Sequence, residues 1–382
     1  MTPLAVVTPT PKAGVHAGRV DGSVVLFNEH DRRLHVLNES ADAVWSRLAR
    51  PTTIGQLTDE VASVFGADPI AIRGDVERMI DRFVADGLVG DDRRPRPRVS
   101  IPAPAPTSPG GDPFRALDTS VRIHSSDTEV ARWLDDVVAP LRTTPAPTVT
   151  DAWIAVDDRG DGTWVVESSS GTVAPVGSRV GAVLRAVSEI NDLAVASVPH
   201  HAVFHAGAVA RDGRAVVLPG ASNRGKSTLT TALVTAGFGY LTDEAAAVDL
   251  HGRVRPFPKA IALDPGSFGL FPELAPRCEG ALAGRIGRRE WHLDPAVLGS
   301  AAGAAEVTAI VCPHWRAGAT TRLARVSGTE ALHTLLGQAF DFTAGGADVF
   351  AVLVALTNDV PVYRLGYGDL DDAVAVIDEV LA

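Results

Sequence analysis

The chain has few cysteines and lacks long apolar runs. Its 382 residues include two cysteines, Cys278 and Cys312, too few for a disulfide framework or a cysteine-rich metal cluster and in keeping with a reducing cytoplasm. We expect both to be small apolar core residues. No stretch has the length of about 18 apolar residues that a transmembrane helix needs, and MTPLAVVTPTPKAG at the start lacks the basic and apolar regions of a signal peptide. These absences predict a cytoplasmic protein with no membrane partner.

A net positive charge is also missing. Asp and Glu outnumber Lys and Arg by 46 to 35, which leaves a formal net charge of −11. Proteins that bind duplex nucleic acid need a basic face, so we expect no nucleic-acid partner, whereas a basic peptide remains compatible with this charge. The apolar fraction of 46% is ordinary for a globular protein with a sizeable core.

The strongest motif is AVVLPGASNRGKST at 215–228. An apolar run, typical of a buried strand, leads into the spacing G-x-x-x-x-G-K-[ST], and a helix-like run follows. Glycines let backbone N–H groups wrap phosphates, the lysine reaches the β- and γ-phosphates, and the next hydroxyl ligates Mg²⁺. The alternative, a chance glycine-rich turn, is disfavoured by the flanking strand and helix. The predicted nucleotide-binding residues are Gly220, Ala221, Ser222, Asn223, Arg224, Gly225, Lys226, Ser227 and Thr228.

Residues 18–90 form a pattern of short strands followed by three helices. This pattern resembles the PqqD-like family of small winged-helix domains, which recognise the leaders of ribosomally made, modified peptides. The resemblance rests on LHVLNESADAVWSRL, on PTTIGQLTDEVASVFGADPIAIRGDVERMIDRFVADGLV, and on Asn38, Trp45 and Gly87-Leu88.

In such domains a leader peptide adds as a strand to an exposed sheet edge. The resemblance therefore implies a precursor peptide as partner, with strand 33–38 and helix 72–83 lining its groove. A structural or DNA-contacting winged helix is the alternative, although the acidic residues Asp75 and Glu77 disfavour DNA.

The domain organisation follows from a sharp change of composition at 91–118, where RRPRPR and IPAPAPTSPGGDP predict a proline-rich linker. We expect residues 1–17 to be a flexible N-terminus, 18–90 a peptide-recognition domain and 119–382 a catalytic domain. Alternating strand-like and helix-like pieces at 119–199 are interpreted as an antiparallel first layer of the catalytic domain.

Acidic and histidine side chains accompany the loop motif. The strand-like VFHAGAVA carries His205, and the turn RDGR folds it back beside the strand that enters the loop. A lone histidine on an apolar strand is usually a core residue, but this hairpin places His205 near the loop. GYLTDE is a short strand that ends in Asp243 and Glu244. Such carboxylates can hold Mg²⁺ or accept a proton from an attacking hydroxyl, and a helix N-cap is the alternative.

His205, the loop and the acidic pair together resemble the HPr kinase/phosphorylase family in type and spacing. His205 lies fifteen positions before Gly220, and Asp243 lies seventeen after Lys226. The resemblance spans about 200–272 and implies an α/β P-loop domain with a mixed sheet, as in HPr kinase and phosphoenolpyruvate carboxykinase. It also implies ATP or GTP with Mg²⁺, and transfer of the γ-phosphoryl group to a serine hydroxyl.

The same resemblance implies roles for the site residues. Asp243 becomes the general base, His205 tunes it, Lys226 acts on the phosphates, and Ser227, Asp243 and Glu244 are the metal ligands. The family has Asp where this chain has Glu244, so the division of base and metal duties stays open. No match to the family's later peptide-binding signature is evident, so HPr itself is not the expected substrate. The family's members are hexamers, which leaves homo-oligomerisation open.

These features predict a Mg²⁺-dependent serine kinase that phosphorylates a precursor peptide bound through its leader, similar to lasso-peptide precursor kinases. Fusion of recognition to chemistry raises the effective concentration of substrate. Two alternatives stay open: a kinase of free serine or a sugar, and a non-catalytic nucleotide sensor that delivers leader peptides. Lys259 is either a phosphate-neutralising group or a surface lysine. The arginine-rich segment 284–291 is either a closing loop or a solvated one.

Overall fold

The computed structural model describes residues 8–50, 52–90, 106–221, 224–274, 291–340 and 345–382. The chain divides into two units, Met1–Arg98 and Val99–Ala382, and both combine helices with sheets. Several features named above lie outside the described residues: Ser222, Asn223, Cys278, the linker residues 91–105 and most of the arginine-rich segment, 284–290.

The first unit is a three-stranded antiparallel sheet packed against three helices, in the predicted order. The β1–β2 turn places Asp21 and Gly22 at φ 50° and 78°, a left-handed pair that matches the twist of a tight hairpin. Thr53 and Gln56 form a capping box at the start of the second helix. The elements are β1 Val15–Val20, β2 Ser23–Asn28, β3 Arg33–Val36, α1 Glu39–Leu48, α2 Ile54–Phe65 and α3 Pro69–Ala85.

The ends of this unit differ from the prediction. The Thr8 N–H donates to the Thr52 carbonyl at 2.8 Å and β1 begins at Val15, so residues 8–17 belong to the fold rather than to a flexible N-terminus. The strand predicted at 33–38 ends at 36, because the Asn38 side chain accepts a hydrogen bond from the Ala41 N–H at 2.9 Å and caps α1.

The second unit begins with a five-stranded sheet in the order β4-β5-β6-β7-β8, covered by two helices. β5 and β6 pair in parallel, so the expected antiparallel layer is in fact mixed: the helix between these strands makes the crossover that parallel pairing needs. The first strand lies within the predicted linker, which therefore ends before residue 114. The elements are β4 Phe114–Ala116, β5 Thr119–Ser125, α4 Thr128–Val138, β6 Ala152–Asp158, β7 Trp164–Ser168, β8 Val173–Val176 and α5 Arg179–Ala196.

An eight-stranded mixed sheet follows. Five of its strands pair in a closed circuit, β10-β9-β12-β13-β16 and back to β10, and two more strands continue from β16 in the order β18-β17. β11 pairs with the C-terminal part of β9, residues 208–210. These strands are β9 Ala202–Arg211, β10 Arg214–Pro219, β11 Gly239–Thr242, β12 Ala245–Val248, β13 Arg253–Arg255, β16 Ala305–Trp315, β17 Arg322–Arg325 and β18 Val362–Tyr367.

Helices cover this sheet, and one of them starts at the glycine-rich loop. That helix and the C-terminal one share an apolar core with β10, β16 and β18. The remaining elements are α6 Lys226–Thr235, β14 Ile261–Leu263, β15 Trp291–Leu293, α7 Pro295–Leu298, α8 Gly328–Gln338, α9 Gly346–Asp359 and α10 Leu370–Leu381.

Candidate functional site

The described residues on either side of residues 222 and 223 form the strand and the helix that the sequence predicts around the glycine-rich loop. A buried strand enters it, and Gly225 leaves it at φ 87° as the N-cap of α6, a conformation that favours glycine. Lys226 is 6% exposed, and its Nζ donates to the carbonyl oxygens of Gly220 at 2.6 Å and Ala221 at 3.0 Å. The ammonium group therefore lies over the loop, at the N-terminal end of a helix that favours anions.

Strand β9 joins the loop to the acidic pair. Its Ala206 pairs with Pro219 at the loop entrance, and the neighbouring His205 pairs with Ala245 at the start of β12. The Ala206 N–H also donates to the Glu244 carbonyl at 3.1 Å. His205 thus lies between the loop and the carboxylates, where the hairpin argument places it.

Asp243 and Glu244 occupy the break between β11 and β12, not a helix N-cap, because the residues that follow them form a strand. The Asp243 carboxylate accepts hydrogen bonds from the Tyr240 hydroxyl at 2.9 Å and from the Ala262 N–H at 3.1 Å. These donors hold the carboxylate in one orientation.

Lys259 is buried at 1% exposure and is not a surface lysine. Its Nζ lies 3.3 Å from Asp243 Oδ1 and 3.0 Å from Glu244 Oε2. Burial alone lowers the pKa of Lys259, but the two carboxylates outweigh burial and raise it above its ordinary value. The chain has three lysines, Lys12, Lys226 and Lys259, and two of them lie at this site.

The two carboxylates differ in exposure. The Asp243 side chain is 2% exposed and the Glu244 side chain 34% exposed. With three donors on Asp243, the accessible carboxylate of the pair is that of Glu244. The charge of Lys259 is the main cause that lowers the pKa of Glu244, so this group is ionised at neutral pH.

Unlike Lys259, the basic groups His205 and Lys226 have lowered pKa values. Burial, followed by the charge of Lys226, lowers the pKa of His205, and the imidazole is therefore neutral at pH 7. Burial also lowers the pKa of Lys226, although Glu244 and Asp243 act against it. A neutral imidazole, a desolvated ammonium and an ionised carboxylate lie along one edge of the sheet, the kind of cluster that marks functional sites.

Two predicted loop residues contact side chains that are distant along the chain. The Thr228 hydroxyl lies 2.7 Å from the Ser267 hydroxyl, and Arg224 Nη1 lies 2.8 Å from the His314 ring. These partners are 39 and 90 residues distant along the chain, so no local pattern could have indicated them. Ser227, in the first turn of α6, is half-buried.

A magnesium ion fits the predicted ligands in part. Within the described residues, no group of three or more His, Cys, Asp and Glu side chains could hold a metal ion. Mg²⁺ at nucleotide sites usually takes one or two carboxylates, with phosphates and water as further ligands. Ser227 and Glu244 suit such a site better than Asp243, whose oxygens are already bonded to protein donors.

The first unit has two surface features suited to binding a peptide, an open sheet edge and a groove among its helices. In the described part of the chain β3 pairs only with β2, so its other side is a sheet edge, and Val36 on it is 50% exposed. A groove of about 430 Å³ also lies among the helices. Its lining residues include Val44 of α1, Phe65 of α2, and Ile72, Met79 and Arg82 of α3.

The family of coenzyme PQQ synthesis protein D (PqqD) matches residues 23–89. This chain carries an N-terminal PqqD domain. The predicted resemblance of the first unit is thereby confirmed, and the PqqD domain suggests binding of the precursor of a ribosomally made, modified peptide. The match does not extend to the second unit, so its likeness to HPr kinase stays a prediction.

A comparison with curated proteins finds no match to the chain. None of the helices in the described residues is long and apolar enough to cross a membrane.

Proposed function

We propose that this protein is a Mg²⁺- and nucleoside-triphosphate-dependent kinase that phosphorylates a serine of a precursor peptide held by its PqqD domain. The observation that carries the proposal is the placement of His205 on β9, and of Glu244 in the break between β11 and β12, beside the loop that leads to Lys226. Phosphate-binding groups and an accessible carboxylate therefore meet at one edge of one sheet.

The phosphates would lie against the loop, with the N–H groups at the start of α6 and the Lys226 ammonium as donors. In the bare protein that ammonium donates to the carbonyls of Gly220 and Ala221. Its lowered pKa reflects desolvation, so a phosphate that approaches Lys226 meets a cation with little competing water.

Transfer moves the γ-phosphoryl group from the β-phosphate oxygen to the serine oxygen. The bond between γ-phosphorus and the bridging oxygen breaks, a bond to the serine oxygen forms, and the nucleoside diphosphate keeps the bridging oxygen. The serine proton passes to a carboxylate. Mg²⁺, with Ser227 as its protein ligand and phosphates and water as further ligands, would neutralise charge on the phosphates.

We assign the proton acceptor to Glu244 and a positioning role to Asp243. Glu244 is the more exposed carboxylate, whereas Asp243 is held by Tyr240, Ala262 and Lys259. The resemblance to HPr kinase favours the opposite assignment, with Asp243 as the base. Burial and hydrogen bonding support Glu244.

The test is mass spectrometry of the full-length protein incubated with Mg²⁺, ATP and the candidate precursor peptide encoded nearest to its gene, with and without the leader. We expect one added phosphoryl group on a serine, only when the leader is present. Lys226→Ala should abolish the addition, and Arg132→Ala, an exposed change on α4, should not. ATP binding without transfer to any peptide would favour the nucleotide sensor, and transfer to free serine or a sugar would favour the small-molecule kinase.

A further inference from the structure

We infer that the base of the bound nucleotide stacks on the indole of Trp315. This inference rests on the proposed function and adds to it the part of the site that holds the nucleoside. It concerns the opposite side of the loop from His205 and the acidic pair.

The topology places Trp315 at the mouth of the site. β10 and β16 pair in parallel, as do β16 and β18, so their carboxyl ends lie at one edge of the sheet. β10 ends at the loop, β16 ends at Trp315, and β18 ends at Tyr367, which pairs with Trp315. Ligands of α/β sheets bind outside the carboxyl ends of such strands.

Trp315 and Tyr367 also contact the loop. A Cβ atom added to Gly225 would lie 3.4 Å from Trp315 Cβ and 2.6 Å from the Tyr367 hydroxyl. Tyr367 is 1% exposed, and among the described residues its hydroxyl has no hydrogen-bond partner. Trp315, in contrast, is 51% exposed. The buried ring of Tyr367 therefore packs against the loop at Gly225. The indole of Trp315, beside the loop, is exposed to solvent.

The two ends of a nucleotide would then lie on opposite sides of the loop. His205 and Glu244 lie on the β9 and β12 side, which is the side of the reacting phosphate. Arg224, a loop residue, contacts His314 on the β16 side. A triphosphate laid along the loop with its γ-phosphate at β9 places the nucleoside toward β16, where Trp315 presents an exposed aromatic ring.

A flat exposed indole suits a nucleobase because base–aromatic stacking is strong and tolerates different bases. Such a contact accommodates adenine and guanine alike. It adds affinity for the nucleoside without touching the phosphates, and that difference makes the inference testable.

The experiment is calorimetric titration of the full-length protein with ATP and, separately, with inorganic tripolyphosphate, both with Mg²⁺. We expect Trp315→Ala to weaken ATP binding by about tenfold or more and to change tripolyphosphate binding by less than about twofold. Trp315→Phe should retain most of the ATP affinity, because a phenyl ring also stacks. Val173→Ala, an exposed apolar change on β8, is the matched control and should alter neither affinity.

Each other outcome overturns the inference. An equal loss for both ligands in Trp315→Ala would show that Trp315 only supports the loop. No loss for ATP, or a wild-type protein that binds tripolyphosphate as tightly as ATP, would exclude base stacking while leaving the phosphate site intact. A wild-type protein that binds neither ligand would overturn the proposed function itself.

Discussion

The ammonium group of Lys259 lies between Asp243 and Glu244, 3.3 Å from Oδ1 of the first and 3.0 Å from Oε2 of the second. One buried cation is thus shared by two adjacent carboxylates. The charge of Lys259 lowers the pKa of Glu244. Glu244, the more exposed carboxylate of the two, stays available to a ligand.

Replacement of Lys259 tests this relationship. Lys259→Met should lower the free energy of unfolding by about 3–5 kcal/mol, because it leaves two buried or half-buried carboxylates without their counter-charge. Urea denaturation at pH 7 measures the effect. Lys12→Met, at a half-exposed lysine of the first unit, is the matched control and should change the free energy by about 0.5 kcal/mol or less. A Lys259→Met protein as stable as the control would show that the ion pairs do not stabilise the fold.

The carboxylates themselves should respond differently to loss of charge. We expect Glu244→Gln to slow phosphoryl transfer by about 10²–10⁴-fold, because it removes an accessible proton acceptor. Both variants weaken an ion pair with Lys259. Asp243→Asn should nevertheless lower the unfolding temperature more, because Asp243 is buried and also accepts hydrogen bonds from Tyr240 and Ala262, whereas Glu244 is 34% exposed. Single-turnover kinetics and thermal unfolding of both variants provide the comparison. If Asp243→Asn slowed transfer more and left stability unchanged, Asp243 would be the base, as the resemblance to HPr kinase implies.

Stability should also fall in mild acid because of His292. This residue lies on β15, is 8% exposed, and has a pKa lowered to about 4, first by burial and then by the charge of Lys259. The folded protein therefore holds His292 neutral, whereas the unfolded chain protonates it below its ordinary pKa of about 6.5. The contribution is fully present above pH 6.5 and is lost as the pH falls toward 4, by about 3 kcal/mol in total.

Denaturation curves at pH 7, 5.5 and 4.5 check this dependence. His292→Gln should flatten it, because glutamine does not titrate. His251→Gln, at an exposed histidine of the same unit, should leave the slope as in the wild type. An unchanged slope in His292→Gln would assign the acid sensitivity to other groups.

The sequence predicts the local parts of the site well. The strand, glycine loop and helix that carry Lys226 are local patterns, and the RDGR turn that brings His205 to the loop is a short hairpin. Lys259 could not be placed in this way. Its position depends on the segment after β13 returning to the sheet, where the Phe257 N–H donates to the Leu241 carbonyl at 2.8 Å, a contact between distant residues without a local signal.

Contacts between distant segments also explain where other strands differ from what sequence patterns indicate. β16 continues to Trp315 because β18 pairs along that stretch, and a strand pattern alone does not indicate this extension. The parallel pairing of β5 with β6 depends on the route of α4, which strand patterns do not reveal. Predictions from sequence were therefore reliable within a hairpin or a strand–helix unit and weak where distant segments meet.

The exposed edge of β3 provides the last prediction. The Leu37 N–H donates to the Val24 carbonyl at 2.8 Å, and donors alternate in direction along a strand, so the Val36 N–H points away from β2. A leader peptide that adds as a strand at this edge would accept a hydrogen bond from Val36.

Val36→Pro removes that donor and should weaken binding of a fluorescently labelled leader by about tenfold, since it also disfavours strand addition. Val36→Ala keeps the N–H and should bind within about threefold of the wild type, because the side chain is half exposed and the main chain supplies most of the affinity in strand addition. Fluorescence anisotropy with the full-length protein measures both. If the two variants lost affinity equally, the leader would depend on the Val36 side chain rather than on the sheet edge, and the helical groove of α1, α2 and α3 would become the better candidate for its binding site.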